Sequence, residues 1–136
     1  MIRVVVDTNV LVSAFIDHGK PGDLVTKLLE EQVILSRPML EELADVLGRD
    51  KFHVRNTNVE SFLTILLKKS KLVAPRSRLK VILEDPDDDV VLNTAYKGKA
   101  DYIVTGDRHL LALKKFKRIE IVCVAQMFEI LKQHQK

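Results

Sequence analysis

Four acidic side chains stand close to points where an apolar run gives way to a predicted helix: Asp7, Glu42, Asp89 and Asp107. Asp7 directly follows the apolar run 2–6, and Asp107 follows the run 102–104 after a short Thr-Gly turn. Short β-branched runs of this kind predict strands buried on both faces, as in a parallel sheet. Functional groups in open α/β sheets collect outside the carboxyl ends of the strands. We therefore expect Asp7 and Asp107 to meet at one edge of a sheet.

Convergence of these acids in one pocket would make a metal site. Taken singly, each acid has an ordinary structural explanation, such as the capping of a helix. Together the carboxylates would repel one another unless a divalent cation neutralised them. Every predicted ligand is an oxygen donor, which suits Mg²⁺ or Mn²⁺ rather than zinc, and no two histidines fall at ligand spacing. Hard cations in an acidic pocket suit the hydrolysis of phosphodiesters, because they activate water and stabilise charge on the phosphate oxygens.

For two members of this set, Glu42 and Asp89, a neighbouring acid in the sequence is an alternative candidate for the site. Glu42 sits at the edge of the apolar stripe of its predicted helix, whereas Glu41 falls on the opposite face and is expected to be solvated. Asp89 shares the polar side of the next acidic segment's helix with Asn93, whereas Asp88 lines up with apolar positions. We therefore assign Glu42 and Asp89 to the site and Asp88 to the cap of its helix.

The composition is that of a soluble globular chain. With 136 residues and 46% apolar content, the sequence is long enough to bury a core and predicts a single domain spanning 1–136. No apolar segment approaches the roughly 20 residues that span a bilayer, and no signal-peptide pattern precedes the first strand. We therefore expect a cytoplasmic protein with no membrane segment. Cys123 lies in an apolar run and is expected to be a small core residue.

Basic residues are concentrated in the second half of a chain whose net charge is +3. Ten Lys or Arg residues lie between Arg76 and Arg118, including Arg78, Lys80 and the cluster at 114–118. A cationic flank around an acidic pocket would suit a polyanion held over bound metal. Taken alone, the charge pattern favours a solvated basic face instead.

Strands and helices are predicted to alternate along almost the whole chain. Strands are expected at 2–6, 33–35, 72–73, 102–104 and 120–124, and helices at 10–16, 23–31, 38–47, 62–67, 88–97, 107–113 and 125–133, with a turn at 19–22. No repeat or linker rich in Pro, Gly and Ser interrupts them. This alternation predicts an α/β fold.

Four motifs, in this order along the chain, resemble those of the PIN-domain family. They are VVVDTNVL at 4–11, LEEL at 40–43, DPDDD at 85–89 followed by NTA at 93–95, and ADYIVTGD at 100–107. The DTN tripeptide alone would be weak, but the ordered set is fairly specific. The sequence is similar to the VapC-type toxin ribonucleases of bacterial and archaeal toxin–antitoxin systems.

The resemblance implies a three-layer α/β/α fold with a central, mainly parallel sheet, and endonucleolytic cleavage of RNA. It also implies a Mg²⁺ or Mn²⁺ site formed by Asp7, Glu42, Asp89 and Asp107, in which Glu42 either holds metal or orients the attacking water. Asn9 and Thr105 match polar family positions that support the acids.

The same resemblance bears on partners and on the number of metal ions. It implies a homodimer and, for a toxin, a small antitoxin protein. Related sequences often carry a further acid where this chain has His109. The choice between one metal ion and two therefore stays open.

Two other interpretations are left open by the residues. A phosphotransfer domain also carries an Asp after its first strand, but the DTN motif lacks the second Asp that the phosphatase family uses. A metal-dependent RNA-binding or regulatory module that does not cleave would use the same acids, although the presence of all four favours an enzyme. No glycine-rich nucleotide motif supports dinucleotide or ATP-dependent chemistry.

Overall fold

The computed structural model describes residues 1–17, 19–49, 56–75 and 86–134, without the side chains of residues 17, 56–57 and 86–88. Several predictions therefore concern residues or side chains outside this description: His18, His53, Arg76, Arg78, Lys80, Asp85 and the side chain of Asp88. Among the described residues, no helix is both long enough and apolar enough to cross a membrane.

Within the described ranges, six strands and seven helices follow one another along the chain. In order they are β1 (Arg3–Val6), α1 (Thr8–Asp17), α2 (Lys20–Leu28), β2 (Gln32–Ser36), α3 (Arg37–Leu47), α4 (Asn56–Lys69), β3 (Lys71–Val73), α5 (Pro86–Lys97), β4 (Tyr102–Val104), α6 (Arg108–Leu113), β5 (Lys115–Phe116), β6 (Ile119–Val122) and α7 (Val124–His134).

Two helix starts differ from the sequence-based expectation, and both involve a proline. The predicted turn at 19–22 is largely wrong, because α2 begins at Lys20 and places Pro21 in its first turn. The helix α5 begins at Pro86 rather than at the predicted residue 88, so Asp88 lies in its first turn, and the predicted capping role of the Asp88 side chain lies outside the described structure. Proline fits the first turn of a helix because the N–H that it lacks has no partner there.

The strands form one sheet in the order β3-β2-β1-β4-β6-β5, parallel except where β5 pairs with β6. From β1 the chain moves outwards to β2 and β3, and it then returns to the other side of β1 to add β4 and β6. Because crossovers between parallel strands are right-handed, the two directions place helices on opposite faces. The α/β fold with a central, mainly parallel sheet is confirmed, and its topological switch point lies between β1 and β4.

The core lies on both faces of this sheet. Residues 4–6 of β1 are fully buried, as expected for a strand covered on both faces. On α4, Leu66 is buried and Phe62 and Leu63 pack against the core, whereas Leu67 is 52% exposed. The half-buried Cys123 follows β6, and its main-chain N–H donates to Gln126 Oε1 at 2.9 Å. The expectation that Cys123 is a core residue therefore holds only in part.

Candidate metal centre

Asp7 lies at the carboxyl end of β1, and only 7% of its surface is exposed. Its main-chain N–H donates to Val104 O at 2.9 Å, which ties the end of β1 to the end of β4. Its carboxylate accepts hydrogen bonds from the Thr8 N–H at 2.7 Å, from Thr105 Oγ1 at 2.7 Å and from Asn9 Nδ2 at 3.3 Å. Such donors offset part of the cost of burying a negative charge, and they fix the orientation of the carboxylate.

Thr105 joins Asp7 to the fourth predicted acid. The fully buried Thr105 hydroxyl donates to Asp7 Oδ2 and accepts a hydrogen bond from the Asp107 N–H at 3.0 Å. Asp107 also caps α6, because its Oδ1 accepts the His109 N–H at 2.7 Å. The His109 imidazole is exposed, with Nδ1 3.9 Å from the same oxygen. Asp107 therefore caps α6. The Thr105 hydroxyl links its main-chain N–H to the Asp7 carboxylate.

Asn9 connects the two loops that carry these acids. Its Nδ2 donates to Asp7 Oδ2, and its Oδ1 accepts the Gly106 N–H at 3.3 Å. Both ends of the amide are used, one by the β1–α1 turn and one by the β4–α6 loop. Asn9 and Thr105 are thus both in contact with Asp7, in the positions where supporting polar groups were expected.

Glu42 approaches the same edge of the sheet from α3. Its side chain is half-buried, and its Oε2 accepts a hydrogen bond from Thr8 Oγ1 at 3.4 Å. Glu41, its neighbour, is exposed and pairs with Arg37 at 3.0 Å along the same helix. The expectation that Glu41 is solvated is therefore correct, and Glu42 is the acid of this helix that faces the sheet end.

Asp89 is positioned by the packing of α5 against the carboxyl end of β2. Thr94 Oγ1 lies 2.8 Å from the hydroxyl of Ser36, the last residue of β2, and it donates to Val90 O at 2.7 Å. The side chain of the adjacent residue, the buried Asn93, donates to the main-chain oxygen of Asp89 at 2.8 Å. Asp89 is half-buried and lies near the start of α5.

The donor set fits a hard divalent cation by chemistry. Asp7, Glu42 and Asp107 are all oxygen donors, and Asp7 is linked to Glu42 through Thr8 and to Asp107 through Thr105. In the described part of the chain, no three His, Cys, Asp or Glu side chains lie close enough together to form a metal-binding group. The acids are therefore neighbours joined by threonines rather than carboxylates in direct contact.

Several of the basic residues that the structure describes in the predicted flank lie away from the acids. Arg108 directly follows Asp107 and is at the acidic edge, but Lys99, Lys117 and Arg118 lie close to the starts of β4 and β6. In a parallel sheet the amino ends of the strands meet at the edge opposite to their carboxyl ends. For these three residues the prediction of a flank around the acids is wrong, because position in the sequence does not tell at which end of a strand a loop falls.

Sequence inspection missed three hydroxyl residues that organise this edge: Thr8, Ser36 and Thr94. All three are buried, and all three hold one element against another. The sequence carries a signal for two of them. Ser36 directly follows an apolar run, and Thr8 follows another after a single residue.

Comparison with known proteins shows which family these motifs represent. The family model described as a PIN domain matches residues 3–109. The uncharacterized protein MJ1680 of Methanocaldococcus jannaschii is 34% identical over 119 residues, which covers 83% of this chain and 76% of that protein.

Solved structures share the fold at low sequence identity. VapBC2 from Rickettsia felis, crystallised with a DNA fragment from its promoter, contains a chain with a TM-score of 0.64 and 19% identity, covering 90% of this chain and 98% of that one. PAE2754 from Pyrobaculum aerophilum gives a TM-score of 0.65 and 19% identity, covering 97% of this chain and 90% of that one.

Proposed function

Because this chain belongs to the PIN-domain family, we propose that it is a divalent-metal-dependent endoribonuclease that hydrolyses RNA phosphodiester bonds. PIN domains are generally nucleases, which supports a hydrolase. The observation that carries the proposal is the buried Asp7 carboxylate at the switch point of the sheet, with Glu42 and Asp107 each one threonine away. A carboxylate as buried as Asp7 at the carboxyl edge of a sheet has no packing role that would require its charge, which supports a role in binding or catalysis.

Two groups of residues have different roles at this site. One group would bind the cation, and the other orients the central carboxylate. Asp7, Glu42, Asp89 and Asp107 would hold Mg²⁺ or Mn²⁺, with Asp7 at the centre. Bound there, the cation supplies an activated water and charge stabilisation on the phosphate oxygens. Thr105 and Asn9 keep the Asp7 carboxylate oriented, since both donate to its Oδ2. Glu42, which approaches this edge from α3, would either hold the cation or orient the attacking water.

The family and the shared fold support a proposal for the biological setting. We place the protein in the cytoplasm as a single PIN-like domain spanning 1–136, acting as the toxin of a toxin–antitoxin pair. The Rickettsia felis structure with the same fold is that of a VapBC2 complex, which supports a small antitoxin partner. A homodimer is the expected assembly.

A cleavage assay with matched acid variants tests the proposal. Labelled RNAs and single-stranded DNA are incubated with wild type, Asp7→Asn, Glu42→Gln and Glu41→Gln, each with Mg²⁺, Mn²⁺ or EDTA. Glu41→Gln is the control, because it removes the same charge from an exposed position on the same helix. We expect metal-dependent RNA cleavage that Asp7→Asn abolishes, that Glu42→Gln lowers by roughly a hundredfold and that Glu41→Gln leaves unchanged.

Two outcomes would contradict the assignment. Full activity of Asp7→Asn would mean that the buried carboxylate is not part of the reaction. Binding of RNA without cleavage under every metal condition would replace the nuclease by the non-cleaving RNA-binding or regulatory module.

A further inference from the structure

A cleft of about 710 Å³ opens at the amino edge of the sheet, at the opposite ends of the strands from Asp7. Its walls come from the starts of β1, β4 and β6 and from the end of α5. Four basic residues line it: Arg3, Lys99, Lys117 and Arg118. The exposed aromatic ring of Tyr96 lines it as well.

The charge in this cleft is strongly unbalanced. Asp101 is the acid among the lining residues, and its Oδ2 accepts the main-chain N–H of Arg3 at 2.9 Å. Among the described residues, none of the four basic side chains forms an ion pair. A concave surface with several cations and one carboxylate attracts anions and concentrates them locally.

The aromatic ring and the cations lie close to one another. Lys117 Nζ is 5.7 Å from the centre of the Tyr96 ring and 5.9 Å from that of Phe116. Tyr96 is 46% exposed, although it stands on a helix whose other side is in the core. A base stacked on Tyr96 would bring its own phosphate beside Lys117. Stacking rings interleaved with cations are the features that bind single-stranded nucleic acid.

Two of the lysines occupy backbone positions where glycine is the usual residue. Lys99, with φ of 54°, follows α5 in a Schellman motif, since the Ala100 N–H donates to Ala95 O at 3.0 Å and the Lys99 N–H to Tyr96 O at 3.2 Å. Lys117, with φ of 58°, is the first residue of the two-residue hairpin turn between β5 and β6. A third such residue, Lys114, ends α6 outside the lining of the cleft. A non-glycine residue with positive φ raises the free energy of the folded state. Such residues are often found at binding sites.

We propose that this cleft binds single-stranded RNA, with one base stacked on Tyr96 and its neighbouring phosphates held by Lys99, Lys117 and Arg118. The choice of RNA rather than single-stranded DNA as the ligand rests on the proposed ribonuclease function. The cleft is then an anchoring site, separate from the acids, for a part of the substrate that is not cut. It adds affinity without taking part in the reaction at the opposite edge.

The fluorescence of Tyr96 gives a direct test. The chain has no tryptophan and two tyrosines, so Tyr102→Phe leaves Tyr96 as its sole tyrosine. Short single-stranded oligoribonucleotides are titrated into this variant without divalent cation, with N-acetyltyrosinamide as the control for absorption by the bases. We expect saturable quenching, with an affinity that falls as salt rises.

Substitutions in the cleft locate the binding. Lys99→Asn with Lys117→Asn removes two charges, and asparagine tolerates positive φ. This pair should lower the dependence of log affinity on log salt by about 1.4, the value for two phosphates of a single strand. Tyr96→Ala should weaken binding roughly tenfold, followed by fluorescence anisotropy of labelled RNA. Lys20→Gln with Lys68→Gln is the matched control, because both lysines are exposed and neither lines the cleft.

Several results would overturn the proposal. They are an absence of quenching, equal losses in the cleft and control pairs, or tighter binding of an acidic peptide of the same charge than of RNA. The last result would assign the cleft to a protein partner. Because binding is measured without divalent cation, the test of the cleft does not require the protein to cleave RNA. A cleaving enzyme with an inactive cleft would leave the ribonuclease proposal standing, and a cleft that binds in a protein that does not cleave would leave only the anchoring site.

Discussion

Thr105→Val tests whether the hydroxyl of Thr105 holds a charged carboxylate. The substitution keeps the shape of a fully buried side chain but removes the donor to Asp7 Oδ2 and the acceptor of the Asp107 N–H. A hydrogen bond to a charged group contributes about 1.5–3 kcal/mol, and an orphaned N–H in a half-buried position adds about 1 kcal/mol. We therefore expect the free energy of unfolding to fall by about 3 kcal/mol.

Thr94→Val is the matched control for this change. Thr94 is equally buried, and its hydroxyl contacts Ser36 Oγ and Val90 O, which are both uncharged. Loss of neutral hydrogen bonds costs about 1 kcal/mol. Equilibrium unfolding in urea, followed by far-UV circular dichroism without divalent cation, should separate the two variants by about 2 kcal/mol. The slope of the free energy against urea should stay the same in both.

A double-mutant cycle attributes the difference to the charge. In the Asp7→Asn background the partner of Thr105 is a neutral amide, while the Asp107 N–H is orphaned as before, so the cost of Thr105→Val should fall towards about 2 kcal/mol, a coupling of roughly 1 kcal/mol. If Thr105→Val and Thr94→Val cost the same, and Asp7→Asn does not change the cost of the former, the buried carboxylate is not charged in the folded protein. The proposed site would then lose its central ligand.

Three further predictions concern the cation, the backbone and Tyr102. A tenfold excess of Mn²⁺ over its Kd should raise the Tm of wild type by roughly 4 °C, with no change in Asp7→Asn; equal shifts would place the ion elsewhere. Lys99→Gly should raise the free energy of unfolding by about 1 kcal/mol, because glycine adopts the left-handed conformation without strain, and it should lower the affinity for RNA. A lower free energy of unfolding in urea would contradict this. Burial, followed by the charges of Glu120 and Asp101, raises the pKa of Tyr102 above its ordinary value of 10.0, so its contribution to stability is complete below pH 10 and is lost as pH rises through the folded pKa. Absorbance titration of Tyr96→Phe, in which Tyr102 is the sole tyrosine, should show this late ionisation, whereas titration at pH 10 would refute it.

The parts of the fold that follow from local pattern were predictable from the sequence. The apolar run ending at Asp7 is a buried parallel strand, and Glu41 and Glu42 point to different sides of α3, as expected for consecutive residues about 100° apart on a helix. Asp7 and Asp107 were expected at one edge of the sheet, and the parallel pairing of β1 with β4 places the ends of both strands at that edge. These features depend on residues within a few positions of each other, or on the rule that carboxyl ends of parallel strands share one edge.

Other features depend on contacts that no local pattern encodes. The two-residue strand β5 exists because it pairs with β6, and its own residues have no alternating pattern long enough to predict it. The contact between Ser36 and Thr94 joins residues 58 positions apart. The basic cleft is formed by loops from three separate strands, so it required the strand order before it was visible.

The bond between Thr105 and Asp7 joins residues 98 positions apart in the chain. During synthesis at about 5–20 residues per second, roughly 5–20 s therefore separate the appearance of Asp7 from that of its partner. Until β4 has been made, β1 lacks one neighbour and the carboxylate lacks a donor that orients it. The proposed acidic centre consequently cannot be complete before translation has passed Thr105, about 98 residues after its central carboxylate has been made.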